Sequence, residues 1–321
     1  NYKIICAGSL LGVKINRFET SFPVGKVRIL EMYPMDFEEF LWAIEEEKLA
    51  EIINESFIKK EPLIEILHNK AISYYQDYLL VGGMPQAVLN YIKNDKNIMK
   101  FDKEIHNSII MSYIADMRKY TISAAETIKI NEIYESIPRQ LAKENAKFKY
   151  NIIKQTANRR DYELPLDWLL SAGLVYKAIK VEKNQAPLKA YIEQSSFKIY
   201  LSDVGLLSTL SDINYSDILI SEDNIFKGAL TENYVAQILK TNGKELYYFK
   251  PNQNMEIDFV MNLNNKIIPI EVKAGTHVKS RSLNNYLEKY HAEYGIRISH
   301  RNFGINNKIV SIPLYSAYLL F

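Results

Sequence analysis

Glu256-Ile257-Asp258-Phe259-Val260, a turn at Asn262–Asn265, then Ile268-Pro269-Ile270-Glu271-Val272-Lys273: the reading of this stretch decides the fold of the C-terminal region. Alternate residues of a strand share a face. Glu256 and Asp258 therefore project together, away from Ile257 and Phe259. On the next strand Glu271 and Lys273 share a face, opposite Ile268, Ile270 and Val272. The short turn makes the pair an antiparallel hairpin, which sets Asp258 beside Glu271 at one end of a sheet.

Working outward, a helix is predicted from about Asn224 to Lys240, closed by Asn242-Gly243. Leu230, Tyr234, Val235, Ile238 and Leu239 form its apolar arc. Glu232 falls at the border of that arc and looks toward the same sheet end. Strands are predicted at Glu245–Phe249, Met255–Met261, Lys266–Val272 and Gly295–Ser299, with a helix at Ser282–Tyr290 between the last two. The segment 216–321 thus reads as an α/β domain.

Carboxylates and a lysine converging in this way suit phosphodiester chemistry. Mg²⁺ or Mn²⁺ takes hard oxygen ligands, polarises a phosphoryl oxygen and activates water. A nearby lysine stabilises the developing charge. The competing reading is a set of structural ion pairs, because Glu-x-Lys is common on strands.

Upstream, residues 36–124 read as helical, from Phe37, Phe40, Leu41 and Ile44 at helical spacing behind an Asp36 N-cap. Gly82-Gly83-Met84-Pro85 marks a helix–helix turn. Residues 125–215 change character. Helices are expected at about Ile128–Glu144, Tyr150–Ala157 and Leu164–Ala172, the last stopped by Gly173. Strands at Leu174–Ile179 and Tyr191–Leu201 follow. Three helices and a two-stranded wing make the layout of a winged helix-turn-helix, in which Arg159, Arg160, Lys183 and Lys189 would meet nucleic-acid phosphates. Charge supports this: residues 139–198 hold 6 acidic and 12 basic side chains, against 13 and 7 in residues 31–100.

The 321-residue chain has a net charge of +2 and one cysteine, Cys6, which excludes an internal disulfide. No apolar run reaches membrane-span length and no leader is visible, so a cytoplasmic location is expected. Cys6 sits in an apolar stretch and reads as inert core. His277, His291 and His300 are not at metal-ligand spacing.

Glu232, Asp258 and Glu271-Val272-Lys273 resemble the PD-(D/E)XK phosphodiesterase superfamily, the restriction-endonuclease-like fold. That resemblance implies catalytic roles for Asp258, Glu271, Lys273 and Glu232, and metal ligation by Asp258, Glu271 and the Val272 carbonyl. The whole chain resembles prokaryotic AAA-like ATPases that carry such a C-terminal domain. The matching stretches are Ala7–Leu11, Phe22–Val27, Tyr33–Phe40, Gly82–Pro85, Asp203–Leu207 and Lys227–Asn233.

Residues 1–35 would then be a remnant of the ATPase core. Ser9 resembles its γ-phosphate sensor, and Arg17, Lys26 and Arg28 are candidate phosphate or trans contacts. The expected architecture is α/β multidomain: this remnant, a mostly helical middle with a winged helix, and a nuclease-like domain. A Gly-x-x-x-x-Gly-Lys-Ser/Thr loop does not occur, so this chain is not expected to hydrolyse ATP. ATP would matter only with an upstream ATP-binding part present, whether a longer protein holds it or the gene is truncated. The expected function is a metal-dependent nucleic-acid phosphodiesterase module of a DNA-processing ATPase, with homo-oligomers formed through the ATPase part. The alternative is a non-catalytic regulatory or binding module that keeps the nuclease fold.

Overall fold

A capping box starts the helical region of the computed structural model: Asp36 accepts from the Glu39 N–H, and Glu39 accepts from the Asp36 N–H. The described residues are 5, 26, 28–121, 123–143, 146–220, 225–275 and 280–320. The helices of the first part are α1 (Phe37–Ala43), α2 (Glu47–Lys59), α3 (Glu65–Val81), α4 (Pro85–Lys93) and α5 (Glu104–Tyr120). Pro85 takes the first position of α4, where its missing N–H costs no helical hydrogen bond. In the sequence, Lys26-Val27-Arg28-Ile29-Leu30 reads as a short strand, and the structure corrects that reading. Residues 28–36 have no regular structure, and Ile29 and Leu30 are exposed.

Next come α6 (Ala124–Leu141), α7 (Tyr150–Ile153) and α8 (Arg159–Ser171), then strands β1 (Val175–Val181) and β2 (Ile192–Leu201). The expected order of three helices and a hairpin is present. α7 is a single turn, and α8 starts five residues before its expected position because Asn158 caps it by accepting from the Asp161 N–H. Gly173 adopts φ +69° just past α8, as a helix-stopping glycine should. The hairpin is not a free two-stranded wing. β1 pairs antiparallel with β2 on one side and parallel with a later strand, β3 (Leu246–Asn252), on the other.

The remaining elements are α9 (Val204–Leu210), α10 (Tyr215–Ile220), α11 (Ile225–Thr241), β4 (Met255–Ile257), β5 (Phe259–Leu263), β6 (Lys266–Val272), α12 (Arg281–Lys289), β7 (Gly295–Ser299), β8 (Gly304–Asn306) and β9 (Ile309–Pro313). One sheet runs β2-β1-β3-β4 and the other β5-β6-β7-β9-β8. The single strand expected over Met255–Met261 is therefore two strands in two sheets, broken at Asp258. Asn264 and Asn265, both at positive φ, form the two-residue turn of the β5–β6 hairpin, because paired left-handed residues match the twist of the flanking strands.

One apolar core joins the helical part to the α/β part, from Phe37 and Tyr78 through Tyr234 to Ile270 and Tyr315. A smaller cluster lies under α12, where Leu283, Tyr286 and Leu287 meet Phe249, Ile257 and Val260.

Three stretches singled out in the sequence meet at one close-packed junction. Met35 donates its N–H to Gly83 O (2.8 Å), and Gly83 donates its own to Asp203 Oδ2 (2.7 Å). Asp203 Oδ1 caps α9 by accepting from the Leu206 N–H (2.9 Å). A Cβ on Gly83 would lie 2.0 Å from Met35 O, and one on Gly205 would lie 2.6 Å from Gly82 N. No larger residue fits at either glycine without moving main chain. His106 sits in the same knot, 2.9 Å from Val81 O and 2.7 Å from Thr209 Oγ1.

Candidate functional site

Asn233 positions the helix that carries Glu232. Its side-chain amide accepts from Leu201 N–H (2.8 Å) and donates to Leu201 O (3.1 Å), so it pairs with the end of β2 as a further strand would. Glu232, one residue earlier on α11, is thereby held beside β2. Its Oε1 accepts from Lys198 Nζ (2.8 Å) and from the Tyr200 hydroxyl (2.5 Å). Lys198 is 2% exposed along its side chain and also reaches Glu256 Oε1 at 2.8 Å. Lys250 holds the other oxygen of Glu256 at 2.5 Å. Burial opposes ionisation of Glu256, but Lys198 and Lys250 outweigh it and keep its carboxyl below the usual range.

Asp258 stands where the chain leaves one sheet for the other. Its Oδ2 accepts from the Val272 N–H at 2.8 Å. Burial, and then the Glu232 charge, push its carboxyl up to about 7, against the pull of Lys273, Lys198 and that amide. Glu271 is 2% exposed; its Oε1 lies 3.5 Å from Lys273 Nζ, and its Oε2 has no partner among the described residues. Lys273 is 40% exposed along its side chain. Burial works against its charge, yet Asp258, Glu271 and Glu232 together raise its pKa above the ordinary value. Lys273 is thus electrostatically coupled to all three carboxylates expected in the site.

The structure brings Glu232, Asp258, Glu271 and Lys273 into one neighbourhood, and the N–H of Val272 meets Asp258. Among the described residues, however, no group of three or more His, Cys, Asp or Glu side chains is arranged to hold a metal ion. Donor chemistry and charge still suit one. Four carboxylates (Glu232, Glu256, Asp258, Glu271) face three lysines (Lys198, Lys250, Lys273), with Arg297 on the next strand beside Glu271. The orphaned Glu271 Oε2 and the raised Asp258 carboxyl mark where positive charge is short.

Lys198 and Tyr200 are site residues that the sequence reading missed. Strand parity could have found them, since they share a face of β2 with Ser196, between the apolar Phe197, Ile199 and Leu201. The expected basic contacts lie elsewhere. Arg159 and Arg160 are exposed in the first turn of α8, where Arg159 is paired with Glu163 at 2.5 Å. Lys183 is exposed over the Tyr191 ring, and Lys189 is exposed in the 3-10 turn Leu188–Tyr191. Lys26 is exposed. Ser9, Cys6, Arg17 and His277 lie outside the described residues.

Residues 227–316 match the family model described as a domain of unknown function (DUF4143). The C-terminal region carries this domain. Residues 72–217 match a second model, also described as a domain of unknown function (DUF8612). No curated protein and no solved structure matches the chain. Lys198 and Tyr200 come from the second matched segment, whereas Glu232, Glu256, Asp258, Glu271 and Lys273 come from the DUF4143 segment. The cluster is built where the two segments meet.

Proposed function

We propose that this chain is a metal-dependent nucleic-acid phosphodiesterase module of a DNA-processing AAA-like ATPase. The observation that carries the reading is a buried carboxylate cluster whose charge is incompletely matched: Lys273 coupled to three carboxylates, a buried Glu271 oxygen without a partner among the described residues, and an Asp258 carboxyl pushed up to about 7 by burial and the Glu232 charge. Buried carboxylates without compensation are costly in a merely structural role. Perturbed groups of this kind concentrate at functional sites.

Asp258 and Glu271, with the Val272 carbonyl, would hold Mg²⁺ or Mn²⁺. The bound ion would polarise a phosphoryl oxygen and lower the pKa of a coordinated water. Lys273, partly exposed beside them, is placed to stabilise charge on the phosphoryl group. Glu232 supports the site from α11, its Oε1 already held by Lys198 and Tyr200. The three-helix-and-hairpin segment is proposed as the DNA-binding winged helix, with Arg159, Arg160, Lys183 and Lys189 on backbone phosphates. Among the described residues no helix is long and apolar enough to cross a membrane, in keeping with the cytoplasmic location proposed.

One observation favours a second reading, a non-catalytic regulatory module. Lys198 bridges Glu232 and Glu256 as an internal counter-ion, which lets half of the cluster stand without a metal.

The test is cleavage of single- and double-stranded DNA and RNA with Mg²⁺, Mn²⁺ or EDTA. Cleavage should require the metal and vanish in Asp258→Ala. Lys273→Ala should keep metal binding and lose about 2–4 kcal/mol of transition-state stabilisation, roughly 30- to 10³-fold in rate. Glu232→Ala should cost less. Activity that ignores EDTA or survives Asp258→Ala would sink the reading, and an inert protein with its ATPase partner region restored would favour the regulatory module.

A further inference from the structure

A polar row crosses the second sheet on the Glu271 face. Glu271 of β6 is registered with Arg297 of β7, Arg297 with Ser311 of β9, and Ser311 with Gly304 of β8. The neighbouring rows are apolar: Ile270, Ile296 and Val310 on one side, Val272, Ile298 and Ile312 on the other. An arginine in the middle of such a strand needs a reason.

Arg297 is 7% exposed and has no carboxylate partner within ion-pair distance among the described residues. Two neutral hydroxyls hold it: one guanidinium nitrogen donates to Ser311 Oγ at 2.5 Å and the other to Ser280 Oγ at 3.4 Å. Its Nε has no partner among the described residues. Burial and the nearby Arg301 both work against its charge, and Glu271 works in its favour. A covered guanidinium held only by serines keeps a donor for an anion.

The surroundings suit one. Ser280 stands at the N-cap position of α12, a nine-residue helix, without a side-chain capping hydrogen bond, and the helix's first N–H groups and dipole favour negative charge. Further along the row, a Cβ added at Gly304 would meet nothing within 4 Å, so that end of the row is open. By contrast, α12 closes the sheet one step earlier on β7, where a Cβ on Gly295 would lie 2.7 Å from Leu283.

We propose that Arg297, with Ser280 and Ser311, is an oxyanion subsite that takes a backbone phosphate of the nucleic-acid strand next to the one acted on at Glu271 and Lys273. Naming the anion a backbone phosphate rests on the phosphodiesterase reading. The subsite itself rests on the buried, serine-held guanidinium. Arginine suits this task because its planar fork matches phosphate oxygens two at a time.

The probe is a short single-stranded DNA oligonucleotide bound to the full chain in EDTA, followed by fluorescence anisotropy across a salt series. Inorganic phosphate, followed by ³¹P NMR, is the second probe. Arg297→Gln keeps a donor for the serines and removes the charge. It should weaken oligonucleotide binding about tenfold and lower the salt slope by about one counterion. Arg297→Lys should fall between, and Ser280→Ala with Ser311→Ala should weaken binding without removing the charge. Phosphate line broadening should be lost in Arg297→Gln. Unchanged affinity and slope in Arg297→Gln would overturn the proposal. So would a loss that merely follows a lower thermal midpoint and is not restored by Arg297→Lys. If Arg297→Gln does not fold, the serine pair decides by the same criterion. Asp258→Asn separates the two ideas: it should abolish cleavage and leave this binding intact. A chain that binds through Arg297 and never cleaves would retain the subsite and sink the phosphodiesterase.

Discussion

Asp203 and Asp258 are both carboxylates that burial pushes above their ordinary range, yet their surroundings differ. Asp203 accepts with both oxygens, from Gly83 and Leu206, and His106 further offsets the burial. It ties three segments together and leaves no room around itself. Asp258 has one amide, from Val272, and the Glu232 charge adds to its difficulty. Beside it Glu271 keeps an oxygen without a partner among the described residues. A carboxylate with a donor on each oxygen holds a fold together. One that remains short of donors and cations is held in place by the fold at a cost, which is the pattern of a ligand site.

The largest effects should come from the Asp203 junction. Gly83→Ala or Gly205→Ala forces a Cβ into main chain at 2.0 or 2.6 Å and should cost on the order of 3–5 kcal/mol, read as loss of soluble protein or a lower urea midpoint. Gly228→Ala is the control. It lies inside α11 with nothing within 4 Å of a Cβ, so it should stabilise by about 0.5–1 kcal/mol. Equal behaviour at all three glycines would dissolve the junction.

Replacing each aspartate by asparagine should sharpen the contrast. Asp203→Asn turns an acceptor into a donor facing either Gly83 or Leu206, and should destabilise by about 2–4 kcal/mol. Asp258→Asn removes a charge that its surroundings resist, and should be neutral or stabilising by about 1 kcal/mol while cleavage is lost. The pH dependence follows. Unfolded, Asp258 loses its proton near the ordinary value of about 3.9; folded, it holds the proton up to about 7. The folded state therefore carries the extra proton in that window, so this group's contribution to stability falls as pH rises from about 4 through about 7. Asp77, raised to about 6 by burial, adds a decline of the same sign in both proteins. The difference between wild type and Asp258→Asn, measured by urea denaturation across pH, isolates Asp258. A difference that does not change with pH would mean the carboxyl is ordinary.

Much of this contrast is legible in the amino-acid sequence. β6 and β7 fall at their expected bounds, since alternating or continuous apolar residues end at polar ones. Asn264-Asn265 and Gly82-Gly83-Met84-Pro85 make the turns their backbone preferences require. Parity and helix phase gathered Glu232, Asp258, Glu271 and Lys273. The pairing of β1 with β3, far apart in sequence, could not be read, because periodicity assigns a face and never a neighbouring strand. The same gap hid Arg297, a lone cation in an apolar strand whose meaning depends on what the next element brings. The break at Asp258 was also hidden, since a strand that changes sheets keeps its alternation.

The smallest effect concerns the basic surface. Arg159→Ala with Arg160→Ala should weaken duplex DNA binding and flatten its dependence on salt, since fewer counterions are released. Folding stability should change by less than about 1 kcal/mol, because the Arg159–Glu163 pair is exposed. Unchanged affinity and slope would move the contact surface away from α8.

The shortage of positive charge at Asp258 and Glu271 is tested most directly by titrating Mn²⁺ into the full chain by calorimetry near neutral pH, in buffers of different ionisation enthalpy. The account predicts that an ion binds and displaces part of a proton from Asp258, and that Asp258→Asn abolishes both the site and the proton release. No binding, or binding that Asp258→Asn leaves unchanged, would contradict it.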